Sequence, residues 1–214
     1  MMTRIGVLGS GAVGQTLARG LKTHGYDVRI GSRTPAKLAE FSAAAGVKSG
    51  TFSDVSAWAE GVVLTVLGTA AAEVLQLAGP ANLRGKLVID TTNPIETAPP
   101  EDGVLRLFTG PNSSLMETLQ QLVPEAHFVK AFNSVGAARM VNPSYSSGTP
   151  TMFYCGDSAE AKAEAKRIIE QLGWDAADMG TAKAARAIEP LCQLWCILGF
   201  REQSWTHAFS LLRR

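Results

Sequence analysis

Three glycines stand at G-x-G-x-x-G spacing in the run Gly9-Ser10-Gly11-Ala12-Val13-Gly14. This spacing brings backbone close to a pyrophosphate. Gly9 allows a tight turn, Gly11 lets the main chain approach the phosphates, and Gly14 lets the next helix pack against a sheet. The N-terminus of that helix then faces the negative charge. Before the motif lie the apolar Ile5, Val7 and Leu8; after it come an amphipathic stretch and a second apolar run at Val28 and Ile30. Strand, turn, helix and strand are therefore all in place, the context that separates a dinucleotide site from an ordinary glycine turn.

The choice of dinucleotide is read further along. Enzymes that use NAD usually carry Asp or Glu about twenty residues past the glycines, to hold the ribose hydroxyls. Here the chain reads Gly31-Ser32-Arg33-Thr34, with Lys37 one turn on. No carboxylate in this stretch would repel a 2′-phosphate. Arg33 offers a fork of donors, Ser32 and Thr34 offer hydroxyls, and Lys37 adds a point charge. NADP(H) is the expected cofactor. Thr34 and Pro35 also suit the N-cap and first position of a helix, and both roles can hold at once.

In doubly wound sheets ligands sit outside the carboxyl ends of the strands. Three such ends are expected at Leu67-Gly68-Thr69, Thr92-Asn93-Pro94 and Ala131-Phe132-Asn133-Ser134. They place Leu67, Gly68, Asn93, Pro94, Ala131, Phe132 and Asn133 beside the nicotinamide. Gly68 would permit close approach of the cofactor, and the two asparagines offer donor and acceptor groups to its amide. Plainer readings exist: Asn93-Pro94 is a common turn pair, and Asn133 could cap the following helix. Lys130 is expected to point along its strand, away from the tip. With no Lys, His or carboxylate expected at these ends, no catalytic acid is assigned, which favours hydride transfer to a planar ring held by stacking and orientation.

The elements that must position these residues alternate along the chain. After the cofactor strands, a helix is predicted over 35–45 and a short strand after Val47. A helix over 53–59, capped by Ser53 or Asp54, leads to a buried strand over 62–68 and a helix over 69–77. A second buried strand spans 86–94, a proline- and glycine-rich loop 96–114, and a helix 115–122. Then come a strand at 127–133, a short helix at 136–143, a strand at 150–156, a helix at 158–173 and a last strand at 174–180. The tail, 181–214, reads as helical and rich in Trp and Leu. Such alternation implies α/β architecture, a Rossmann-like doubly wound and mostly parallel sheet, with 1–180 as the NADP-binding domain and 181–214 as a helical C-terminal appendage.

Composition excludes several function classes. With 214 residues and 46% apolar content there is ample core for one main domain. A formal charge of +1 gives no reason to expect nucleic acid or an anionic membrane as partner. No apolar run approaches the length of a membrane span, and the first strand starts too early to leave room for a removable leader, so a cytoplasmic protein is expected. Cys155, Cys192 and Cys196 form no disulfide framework. The latter two, one helical turn apart in an apolar stretch, read as buried thiols rather than a redox pair. His24, His127 and His207 form no metal-ligand cluster, and nothing resembles a nucleophile elbow. Aromatics at Trp195, Phe200, Trp205 and Phe209 read as packing of the tail, against the sheet domain or a second subunit, so a homodimer is expected. Arg186 and Glu189 could instead edge the acceptor pocket.

Taken with GSRTPAK, DTTNP, VKAFNSVGA and DMGTAKAARAIEPL, the glycine motif resembles the NADPH-dependent reductases of the deazaflavin coenzyme F420. It is equally similar to the NADPH-binding cytosolic domain of STEAP-type metalloreductases. The resemblance implies that Ser32, Arg33, Thr34 and Lys37 hold the 2′-phosphate and that Ala131, Phe132 and Asn133 lie beside the nicotinamide. It further implies hydride transfer between NADP(H) and a small-molecule redox acceptor, either coenzyme F420 or a flavin such as FMN or FAD, without covalent catalysis. Two alternatives stand beside this reading: reduction of a small carbonyl or imine compound, and a non-catalytic NADPH-binding redox sensor.

Overall fold

The computed structural model describes residues 2–212. Apolar runs and amphipathic stretches alternate as strands and helices: β1 (Arg4–Leu8), α1 (Ala12–Thr23), β2 (Asp27–Gly31), α2 (Ala39–Ala45), β3 (Lys48–Gly50), α3 (Phe52–Trp58), β4 (Gly61–Leu64), α4 (Ala71–Ala78), β5 (Leu87–Asp90), α5 (Leu115–Leu122), β6 (His127–Lys130), β7 (Thr151–Gly156), α6 (Ala159–Gln171), β8 (Asp175–Asp178), α7 (Ala185–Ile188) and α8 (Leu191–Glu202). One eight-stranded sheet runs in the order β3-β2-β1-β4-β5-β6-β7-β8. Every pairing is parallel except β6 with β7. The fold is the expected Rossmann-like one.

Strands β4 and β5 are buried at every residue, as their unbroken apolar runs require when helices cover both faces. One core layer gathers Leu17, Leu21, Ile168 and Trp174 under α1 and α6. The other gathers Val55, Leu75, Leu119 and Ile188 under α3, α4, α5 and α7. Strand order reverses between β1 and β4, so the two crossovers leave in opposite directions and a crevice opens at their carboxyl ends.

Local chemistry corrects several boundaries. Helix α3 starts earlier than expected, because Thr51 rather than Ser53 or Asp54 caps it: Thr51 Oγ1 accepts from Asp54 N at 3.1 Å and donates to Asp54 Oδ2 at 2.6 Å. Thr34 precedes a 3-10 turn at Pro35–Leu38 but makes no side-chain cap; its own N–H donates to Ser32 Oγ at 3.1 Å. The strands at 62–68, 86–94 and 127–133 all end three or four residues early, since their last residues leave the sheet to line its edge. Across the 96–114 loop and the residue before it, Ile95 pairs antiparallel with Leu107 and Glu101 with Val104. Asp102 and Gly103 take positive φ there, the turn chemistry that Asp-Gly supplies.

The tail is the largest correction. Helix α8 stops at Gln203 in the left-handed region, and the chain then returns non-helically to β7, where Thr151 N donates to Phe209 O at 2.8 Å. Trp205 and Phe209 therefore lie outside any helix; Arg213 and Arg214, part of the expected helical tail, fall outside the described residues. Trp205 stacks 5.2 Å from Trp195, over Gly199, where a Cβ would meet its ring at 2.2 Å. Trp195 Nε1 donates to His207 O at 2.9 Å. These aromatics pack within the chain.

Candidate functional site

A cleft of about 490 Å³ opens at the crevice and is lined by Gly9, Ser10, Gly11, Ala12, Val13, Ser32, Arg33, Thr34, Lys37 and Leu67. The structure thus gathers both sequence stretches assigned to the cofactor. Gly9 has φ +138°, and a Cβ there would strike Thr65 O at 2.5 Å. At Gly14 a Cβ would come within 2.0 Å of Gly9 O, so this glycine closes the helix onto the turn instead of facing the cleft. A Cβ on Gly11 would meet nothing within 4 Å. That open space adjoins the first turn of α1, which has neither a side-chain cap nor an acidic residue. Unclaimed N–H groups at a helix start are what a phosphate needs, and the residues present fit a dinucleotide.

At the 2′ end, Arg33, Thr34 and Lys37 are exposed, while Ser32 is buried and its oxygen already accepts from Thr34 N, leaving its hydroxyl proton to donate. Glu73, outside that stretch at the start of α4, adds a carboxylate to the site: its Oε1 lies 3.9 Å from Arg33 Nη1, with both side chains more than half exposed (60% and 69%). Residues forty apart in sequence meet here. Phe52, Ala70 and Val74 add an apolar wall; none carries a motif, and only the folded crossovers bring them to the cleft.

A second cavity of about 340 Å³ continues from the first, sharing Val13, Thr65, Val66 and Leu67 with it, and extends over Gly68, Thr69, Thr91, Thr92, Asn93, Ile95, Glu96 and Thr97. Leu67, 78% exposed, stands between the two. Gly68 lines this cavity, and a Cβ there would meet Asn93 O at 2.0 Å, so the glycine also permits strand ends to touch. Glu96, missed as part of a loop, brings a carboxylate to this cavity.

Asn93 and Asn133 join the ends of β5 and β6. Asn93 Nδ2 donates to Asn133 O at 2.7 Å, and Asn133 Nδ2 donates to Asn93 Oδ1 at 3.1 Å and to Ile188 O at 2.8 Å. The buried Asn133 Oδ1 has no partner within the protein. Pro94, Ala131, Phe132 and Asn133 are buried and line neither cavity. Phe132 has φ +59°, a conformation costly for a bulky residue. It turns the ring into the core, edge-on to Trp174 at 6.5 Å, and leaves the strand end to Asn133.

Behind this wall lies what sequence reasoning missed. Lys130 does not point away from the tip but is fully buried, its Nζ 2.6 Å from Asp90 Oδ2 and 2.9 Å from Glu189 Oε1, and it donates to Thr92 O at 2.8 Å. Burial alone would lower the Lys130 pKa, but Asp90 and Glu189 outweigh it and hold it above the ordinary lysine value. Asp90 Oδ1 accepts from Thr92 N at 2.8 Å and from its hydroxyl at 2.7 Å. Glu189 accepts from Leu115 N and Met116 N, both at 2.9 Å. Glu189 therefore caps α5 from α7's end rather than edging the pocket, and Arg186 is paired with Glu117 at 2.7 Å. Cys155, also buried here, is pushed up to about 12 by desolvation.

The cysteines are all free and buried. Among the described residues no His, Cys, Asp and Glu group is placed to hold a metal, and no helix is long and apolar enough to cross a membrane.

Comparison with known proteins agrees with the fold and the family resemblance. Residues 4–94 match the family model described as NADP oxidoreductase coenzyme F420-dependent. A crystal structure of an Arthrobacter sp. FB24 protein, assigned as an F420-dependent NADP-reductase, is 34% identical and superposes with a TM-score of 0.92, covering 100% of both chains. Metalloreductase STEAP3 of Rattus norvegicus is 30% identical over 191 residues, 88% of this chain and 36% of that protein. The chain spans about a third of the length of the STEAP relatives it matches. A reductive aminase from Aspergillus terreus, at 18% identity and a TM-score of 0.69 over 95% of this chain and 64% of that one, shares the fold.

Proposed function

The chain belongs to the coenzyme F420-dependent NADP oxidoreductases, and we propose that it moves hydride between NADP(H), whose nicotinamide reaches into the second cavity, and a deazaflavin or flavin ring held against it there. The observation that carries this reading is the continuity of the two cavities across Leu67. One wall is suited to phosphates, and beyond the exposed leucine lies a chamber lined mainly by threonines and Asn93.

The proposed cofactor residues divide by task. Gly9, Ser10, Gly11, Ala12, Val13 and the α1 start cradle the pyrophosphate; Ser32, Arg33, Thr34 and Lys37 take the 2′-phosphate; Leu67, Gly68 and Asn93 frame the nicotinamide. Asn133 orients Asn93 from behind the wall. The nicotinamide supplies the hydride chemistry. The protein's part is positioning and exclusion of water.

NADPH oxidation by the purified protein, followed in parallel with coenzyme F420, FMN, FAD, a small imine and no acceptor, tests the reading. Fast turnover with a ring acceptor is expected. Turnover with the imine alone would favour the carbonyl or imine reading, which Glu96 in the second cavity keeps open as a proton source. Tight NADPH binding without any turnover would favour a sensor.

Leu194 and Leu198, exposed one turn apart on α8, support a homodimer through that face in a cytoplasmic protein; a monomer by light scattering at micromolar concentration would remove the dimer.

A further inference from the structure

We infer that the buried Asp90–Lys130–Glu189 cluster is an electrostatic device that favours the oxidised, cationic nicotinamide over the reduced, neutral one at the neighbouring cavity. The inference rests on the cofactor reading above, because it needs the nicotinamide at the β5 and β6 ends.

The argument begins with charge. Asp90, Lys130 and Glu189 are the buried charged side chains among the described residues. The contacts made by the two carboxyl groups are to N–H, O–H or ammonium donors, the surroundings that suit carboxylates. Two carboxylates and one ammonium sum to one excess negative charge. The α5 N-terminus offsets roughly half an elementary charge through Glu189. Cys155, with its thiol pushed up by burial, adds none.

Position follows. Thr92 lines the second cavity and is tied to the cluster three times: its N–H and hydroxyl donate to Asp90, and its carbonyl accepts from Lys130. The excess charge therefore lies one hydrogen-bonded residue behind the cavity wall, in a medium that screens weakly compared with water. Donation of hydride removes one proton and two electrons from the dihydronicotinamide, and the acceptor gains them. The ring is left with one positive charge. A fixed negative field stabilises that product state relative to the neutral ring, and needs no rearrangement at the moment of transfer. Loss of strand-end geometry alone would weaken both forms alike.

Affinity for the two cofactor forms, measured without turnover by calorimetry or fluorescence titration, decides the matter. Glu189→Gln retains an oxygen for Lys130 and Met116 N while removing one charge; Asp90→Asn removes the other. Each should weaken NADP+ relative to NADPH, raising the ratio of their Kd values by about three- to tenfold, the scale of one unit charge acting through a partly screened interior. Equal weakening of both forms in a folded variant overturns the proposal. Each variant is read alone, so one that fails to fold leaves the other to decide. The unmodified protein gives a third readout: NADP+ should bind at least as tightly as NADPH, and a clear preference for the reduced form overturns the proposal. Absence of binding by either form to the unmodified protein would instead strike the cofactor reading.

Discussion

At the phosphate end of the cleft, Arg33 and Lys37 stand in solvent on a strand-end loop, with only Glu73 in loose contact at 3.9 Å from Arg33. Behind the acceptor end, Asp90, Lys130 and Glu189 are fully enclosed and meet at 2.6 and 2.9 Å. The first arrangement offers its charge to a ligand by direct contact; the second is shut away from ligand and can reach one only through its field. Exposed pairs contribute little to stability, whereas removing one member of a buried group leaves the others without compensation. Loss of a single cation should therefore cost binding at the exposed end and folding at the buried one.

Lys130→Met offers the strongest way to break this contrast. It leaves two carboxylates facing each other without water, and should cost roughly 3–5 kcal/mol of unfolding free energy, read from the midpoint of denaturant unfolding. A loss below about 1 kcal/mol, the scale of an exposed ion pair, would mean that the cluster is not held in its charged form. Arg33→Ala is the counterpart. Its stability should stay within about 0.5 kcal/mol of the unmodified chain, as for ordinary surface positions. NADPH binding should weaken by about 1.5–3 kcal/mol, the scale of charge-assisted bonds, while NADH is nearly unaffected. Equal losses for both cofactors would show that Arg33 does not read the 2′-phosphate.

The same contrast governs what could be read from the residues alone. The phosphate end is local: Gly9 to Gly14 and Ser32 to Lys37 are two short stretches joined by one helix, so spacing and residue type carry the geometry. Glu73, Phe52, Ala70 and Val74 escaped there, because α3 and α4 reach the cleft only across the folded crevice. The acceptor end is assembled from β5, β6, α5 and α7, and the lysine that organises it looks like an ordinary strand residue. Pattern reasoning places Lys130 by the alternation of β6 but not by the carboxylates that meet it from 40 residues before and 59 after. Fold class followed from alternating apolar runs. The non-helical return of the tail did not, since the aromatic content that suggested helix packing serves instead to seat Trp205 on Gly199 and Trp195.

Glu73→Gln gives the smallest expected effect and the finest test of the comparison. The carboxylate competes with a 2′-phosphate for Arg33 and repels it, but both side chains are mostly in water. Its removal should tighten NADPH by no more than about 1 kcal/mol, leave NADH unchanged, and lose its effect as salt screens the pair. Titrations at low and high ionic strength give the sign directly. Weaker NADPH binding would reverse the assignment: Glu73 would then hold Arg33 in place for the phosphate, and even the exposed end of the cleft would depend on a prearranged pair.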